Sequence, residues 1–233
     1  MNSFAVLLLT MSAPPESTDP AVKTALQKFN SLIGEWKGTG SFEGAAGRQK
    51  NGFWTEEINW SWQFQGQDIA LIAEWASSQN WSRGELRYLP KSGEYQFRLT
   101  TPGEVRKTFV GKFQQEGGGR SPCLILERTE PASELAERLI ITLLHNNRHL
   151  YRLERKADNS NSFSKIYQVG ATKKGVPFAQ ANQGPECVVS GGVGTIMIKY
   201  QGKTYFVCCS GCKDAFFANP EQYISKAAAG QGK

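Results

Sequence analysis

The stretch WTEEINWSWQF, residues 54–64, alternates with period two. Trp54, Ile58, Trp60, Trp62 and Phe64 occupy the even positions, and Thr55, Glu57, Asn59, Ser61 and Gln63 the odd ones. Only Glu56 interrupts the apolar set. Successive side chains of a strand point to opposite faces, so the pattern predicts a strand with one buried and one wet face. Further short strands follow, separated by turn signals. DIALIAEW (68–75) is followed by the loop ASSQNWSRG, ELRYLP (85–90) by KSGE, YQFRLTT (95–101) by PGE, and RKTFVGKFQ (106–114) by EGGGRSP. CLILER (123–128), a helical turn or loop at EPASELAE (130–137), RLIITLL (138–144), HLYRLER (149–155) and FSKIYQVGA (163–171) complete the series. Many short strands with no long helices between them predict a mainly β fold, here an antiparallel up-and-down barrel.

One helix precedes the strands. Asp19 is placed to cap it, Pro20 suits its first position, and Val22, Ala25, Leu26, Phe29, Leu32 and Ile33 recur at helical spacing. The glycines of IGEWKGTGSFEG end the helix and open the first strand. Inward-facing aromatics fill a small barrel as core or line a ligand cavity. Trp36, Trp54, Trp60, Trp62 and Trp75 are the candidates for a pocket that holds a small apolar ligand. The segment LIGEWKGTG (32–40) resembles the opening of lipocalin-like and fatty-acid-binding-like barrels. That resemblance implies a lipocalin-like domain over residues 19–169. The two histidines, His145 and His149, flank a hairpin turn expected at Asn146-Asn147 and are placed at the barrel rim.

The 233 residues carry 27 Lys and Arg against 21 Asp and Glu, a formal net charge of +6. The cations are interspersed with acids such as Glu56, Glu57, Glu85 and Glu127, and no basic run tracks a phosphate backbone. Nucleic acid is therefore not an expected partner. Residues 1–18 hold an apolar run from Phe4 to Met11 and then small residues and prolines, read as a signal-like segment and linker. No Lys or Arg precedes the run, and Pro14 sits where cleavage would fall. The reading leans to an exported protein, periplasmic or extracellular. The run is too short to span a bilayer as a helix.

Residues 170–186 (GATKKGVPFAQANQGPE) show no apolar period and read as a linker. Beyond them, residues 187–229 form a second unit too small to stand on its apolar core alone. TIMIKY and KTYFVC are strands joined at Gln201-Gly202. Ser210 is placed to cap a helix, and Asn219-Pro220 ends it and starts another, with Gly230 beyond its end. GGVG (191–194) is a turn.

Four of the five cysteines lie in this unit; Cys123, alone on an apolar strand, reads as a buried inert thiol. Cys187 precedes the hairpin, Cys208 ends its second strand, and Cys212 lies in the first turn of the helix. Three sulfurs from these positions converge on one point, as a thiolate site for zinc or another thiophilic ion requires. A disulfide from Cys187, and a Cys209-x2-Cys212 redox pair, are the competing readings.

The segment YQGKTYFVCCSGCKDAFFANPEQY (200–223) resembles the TRASH/YHS family of small metal-binding modules: a cysteine, a hairpin, then Cys-x3-Cys running into a helix. Carried over, Cys187, Cys208 and Cys212 are metal ligands. The fourth ligand stays open between Cys209, Asp214, Glu186, water and a second chain. The resemblance implies a protein that senses or traffics a metal. Neither a Ser/His/Asp nor a Cys/His arrangement is present, so the expected function is non-enzymatic. The alternative is a carrier of a small apolar ligand in which the cysteine unit is only structural.

Overall fold

The computed structural model describes residues 20–43, 49–66, 68–115, 122–129, 136–145, 147–156, 162–175 and 184–230. The expected signal segment, the Asp19 cap, the loop glycines at 116–119, residues 130–135, Asn146 and linker positions 176–183 lie outside these residues.

The strands close into a ten-stranded antiparallel barrel in which each strand pairs with its sequence neighbours and the last returns to the first. They are β1 (Gly34–Glu43), β2 (Gln49–Gln65), β3 (Asp68–Trp75), β4 (Arg83–Leu89), β5 (Glu94–Thr100), β6 (Arg106–Gln115), β7 (Pro122–Arg128), β8 (Glu137–His145), β9 (Arg148–Lys156) and β10 (Phe163–Lys173). This is the up-and-down topology that the alternation predicts. β10 runs four residues past position 169, where the linker was expected to begin, because its pairing with β1 continues through Trp36↔Lys173.

Burial has period two in β2 and β5, whereas β3 is buried at five successive positions, Ile69 to Ala73. In β2, Glu56, Ile58, Trp60 and Trp62 point inward with their neighbours Glu57, Asn59 outward. A glycine makes room for one of the large rings: a Cβ at Gly40 would stand 2.2 Å from the Trp54 indole across the β1–β2 pair.

The N-terminal helix α1 (Pro20–Gln27) is shorter than its apolar spacing predicts, and a single 3-10 turn at Asn30–Leu32 replaces its last part. The chain turns there so that Leu26, Phe29 and Leu32, all fully buried, plug one end of the barrel. Phe29 packs edge-on to Tyr95 at 5.3 Å and stacks on Phe113 at 5.4 Å, and the Tyr95 hydroxyl donates to the Ala25 carbonyl at 3.1 Å.

The C-terminal unit is a hairpin, β11 (Ile196–Tyr200) and β12 (Lys203–Val207), followed by α2 (Ser210–Ala218) and α3 (Pro220–Gly230). Gln201 and Gly202 both have positive φ, 48° and 75°, the backbone of a tight two-residue hairpin turn. Gly230 belongs to α3 rather than following it. Phe216 of α2 is fully buried among Tyr200, Tyr205 and Tyr223, a small aromatic core of the size the sequence led us to expect. Among the described residues, no helix is long and apolar enough to cross a membrane.

Candidate metal centre

Cys187, Cys208 and Cys212 bring their sulfurs within 4.8 Å of one another. All three are buried, at 1%, 8% and 0% exposure. Each arrives from a different piece of backbone. Cys187 opens a turn closed by its own carbonyl, which accepts from the Gly191 amide at 2.9 Å; Cys208 follows β12, and Cys212 lies in the first turn of α2. The Cys208 and Cys212 sulfurs are 3.5 Å apart. Four sulfurs tetrahedrally placed around zinc at about 2.3 Å are about 3.8 Å apart, so the spacing suits a thiophilic ion. Donors that favour thiolates surround the trio. The Ser190 amide donates to Cys187 Sγ at 3.4 Å, and the Ser190 hydroxyl lies 3.2 Å from Cys208 Sγ.

Hydrogen bonds among the crowded sulfurs split their acidities. Bonds from Cys208 and Cys212 hold the Cys187 thiol down to about 2 and the Cys209 thiol down to about 3. Bonds to Cys187 and their other neighbours push Cys208 and Cys212 up. Metal ligation requires the thiolate form, so an ion bound at these sulfurs would displace the protons they share.

Cys209 lies at the edge of the trio: its sulfur is 3.9 Å from Cys208 Sγ, is hydrogen-bonded with Cys212, and accepts from the Trp62 backbone amide of the barrel at 3.3 Å. The expected helix cap is corrected. α2 begins at Ser210 rather than after it, Cys209 is the capping residue in extended geometry, and its side chain caps nothing. The five cysteines are unbridged. A hairpin, not a βαβ unit, precedes Cys209 and Cys212, so the thioredoxin-like setting of a redox pair is not the one found. Cys123 is buried on β7, 3.3 Å from the Thr142 hydroxyl.

The unit rests on the plugged end of the barrel. Lys23 Nζ donates to the Val189 carbonyl, and Gln27 Nε2 and Asn30 Nδ2 donate to the Ser190 carbonyl at 2.8 and 3.1 Å. A cleft of about 1100 Å³ lies beside this contact, with Cys208, Cys209 and Lys173 on its wall. Burial pushes the Lys173 ammonium down. None of these barrel partners was visible in the sequence. The Ser190 contribution had one weak signal, a hydroxyl three residues after a cysteine.

The barrel interior offers much less room. Trp36, Trp60 and Trp62 are at most 3% exposed and Trp75 is 9% exposed, packed as core. Trp60 and Trp75 border a cavity of about 10 Å³, room for a single water, and Trp36, Trp54 and Trp62 do not border it. Four of the five candidate tryptophans are thus core side chains, two of them around this small cavity. His149 is also displaced from its expected place at the rim. It faces inward on β9 at 2% exposure, edge-on to Trp36 at 4.4 Å, and burial lowers its pKa to about 3.

Glu56, which interrupts the apolar set, faces inward with the rest and is fully buried. The Trp54 and Trp75 indoles donate to its two oxygens at 2.9 and 3.1 Å, the Ser78 hydroxyl at 3.0 Å, and the Tyr151 hydroxyl closes the set. Four donors satisfy both oxygens, so this carboxylate is a structural knot.

The architecture is thus a closed lipocalin-like barrel carrying a cysteine module at one end. The YHS domain family matches residues 196–227, a span that contains Cys208, Cys209 and Cys212 and begins after Cys187. No curated protein matches the chain.

Proposed function

We propose that the chain is a non-enzymatic metal-binding protein that takes up zinc or a softer ion such as Cu(I) at Cys187, Cys208 and Cys212, in metal sensing or trafficking. The observation that carries this reading is the convergence of three buried thiols within 4.8 Å of one another, two of them inside the YHS match. A donor set of sulfur alone favours thiophilic ions over magnesium, calcium or manganese. Cys208 and Cys209 border a wide cleft, which supports a centre that exchanges its ion rather than one sealed for stability alone. The cavity of about 10 Å³ inside the barrel speaks against a carrier of organic ligands and for a scaffold.

The test is elemental analysis with native mass spectrometry on anaerobically purified protein, comparing wild type with Cys212→Ser. One equivalent of zinc or copper, lost in the variant, is the expected result. Metal-free protein lighter by two protons per cysteine pair would overturn the reading.

A further inference from the structure

The four sulfurs of the module are arranged about one shared edge. Cys208 and Cys212, 3.5 Å apart, are each hydrogen-bonded with both Cys187 and Cys209. Cys209 Sγ lies 3.9 Å from Cys208 Sγ. It stands outside the set of three sulfurs that all lie within 4.8 Å of one another, so the sulfur it is distant from is Cys187. The result is two triangles back to back, Cys187–Cys208–Cys212 and Cys209–Cys208–Cys212. Zinc held by four thiolates at about 2.3 Å needs every sulfur pair about 3.8 Å apart, and the Cys187–Cys209 pair misses that by about 1 Å or more. Three thiolates spread evenly around one ion at the same bond length stand about 4.0 Å apart. The shared edge and the Cys208–Cys209 edge are near that spacing.

The two outer sulfurs are furnished alike. Cys187 Sγ accepts the Ser190 amide at 3.4 Å, and Cys209 Sγ accepts the Trp62 amide of the barrel at 3.3 Å. An amide donating to a thiolate stabilises its charge and leaves the sulfur other lone pairs for an ion. The second triangle is also the more open one, since Cys208 and Cys209 both border the cleft, with Lys173 on the same wall.

We propose that the centre takes two Cu(I) ions, one in each triangle, with Cys208 and Cys212 bridging them and Cys209 as the outer ligand of the second, cleft-side ion. This rests on the metal-binding reading above, whose single ion occupies the inner triangle. Thiolates are the ligands that select Cu(I), and three suffice for it where zinc takes a tetrahedron. The four thiols release their protons to solvent, and two monovalent ions leave the cluster a net charge of about −2, which Lys173 offsets in part.

The experiment titrates the reduced full chain anaerobically with Cu(I), against a chelating competitor, and counts ions per chain by native mass spectrometry. Wild type should fill with two ions. Cys209→Ser and Cys187→Ser should each stop at one, because each removes one triangle and spares the other, while Cys123→Ser should still take two. A wild type that stops at one ion would overturn the proposal, as would a Cys209→Ser chain that still takes two. Should a variant fail to fold, X-ray absorption at the copper edge of the loaded wild type decides: a copper neighbour beside the sulfur shell is expected, and a sulfur shell without one overturns the proposal. A wild type that refuses copper would overturn it too, but the metal-binding reading itself falls only if zinc is refused as well.

Discussion

Replacing Gly211 with alanine separates a docked module from a free one by the sign of its effect. A Cβ built at Gly211 lies 1.7 Å from the Trp62 carbonyl oxygen and 2.8 Å from its carbon. Non-bonded heavy atoms settle about 3.5 Å apart, so the first turn of α2 must retreat by roughly 1.5–2 Å. Trp62 is backbone in a paired strand and cannot yield. The retreat stretches the 3.3 Å Trp62–Cys209 bond beyond hydrogen-bonding range and pulls on the two bonds to the Ser190 carbonyl. One to three hydrogen bonds at about 1 kcal/mol each, together with an overpacking cost of about 1–3 kcal/mol, give a destabilisation of roughly 2–5 kcal/mol. A module swinging free of the barrel would respond the other way, because alanine in a helix is better than glycine by about 1 kcal/mol. Urea unfolding followed by tryptophan fluorescence reads the difference, with Trp62 at the contact. A Gly211→Ala protein as stable as wild type, or more so, would refute the docking on which the description of the centre rests.

Glu56→Ala leaves two buried and two half-buried donors without an acceptor and should cost about 3–5 kcal/mol in the same assay, while a loss below about 0.5 kcal/mol would contradict the knot. His149 makes the barrel sensitive to acid. Its folded value of about 3 lies below an unfolded value near 6.5, so the folded chain refuses a proton that the unfolded chain accepts, and stability falls as pH drops through that window. Between pH 6.5 and 4.5 the loss is about 2–3 kcal/mol, and it should be largely absent in His149→Gln; equal slopes in both proteins would contradict the assignment. Glu137 adds to the loss at lower pH. Burial pushes its carboxyl up, but bonds from Arg155 and Lys107 outweigh that and hold it below its ordinary value. Its contribution is present above the unfolded carboxylate value and lost as pH falls through the folded one. Glu137→Gln should therefore flatten the acid limb of melting temperature against pH, and an unchanged limb would count against the cluster.

The barrel was legible because period two is a local property, and each strand states its own inner face. The strands from DIALIAEW to FSKIYQVGA recur in the structure with ends shifted by a few residues at most. The cysteine trio was legible for a similar reason, since a hairpin and a helix start bring fixed spacings together. Interactions between distant segments were hidden. Glu56 looked like a break in the pattern because its partners, Trp75, Ser78 and Tyr151, come from later in the chain. His149 sits beside a turn in sequence, but strand parity turns it into the core against Trp36. Cys209 stood beside Cys208 in sequence, but the barrel amide 147 residues away that donates to its sulfur was hidden. The tryptophans were read as either lining or filling, and the burial of Trp36, Trp60, Trp62 and Trp75 in the core is a matter of volume that no pattern of residue types reports.

The most direct test of the account is X-ray absorption at the edge of the metal that copurifies with the full chain. The account predicts a shell of at least three sulfurs at about 2.3 Å, broken by Cys212→Ser. A shell of nitrogen and oxygen alone would contradict it.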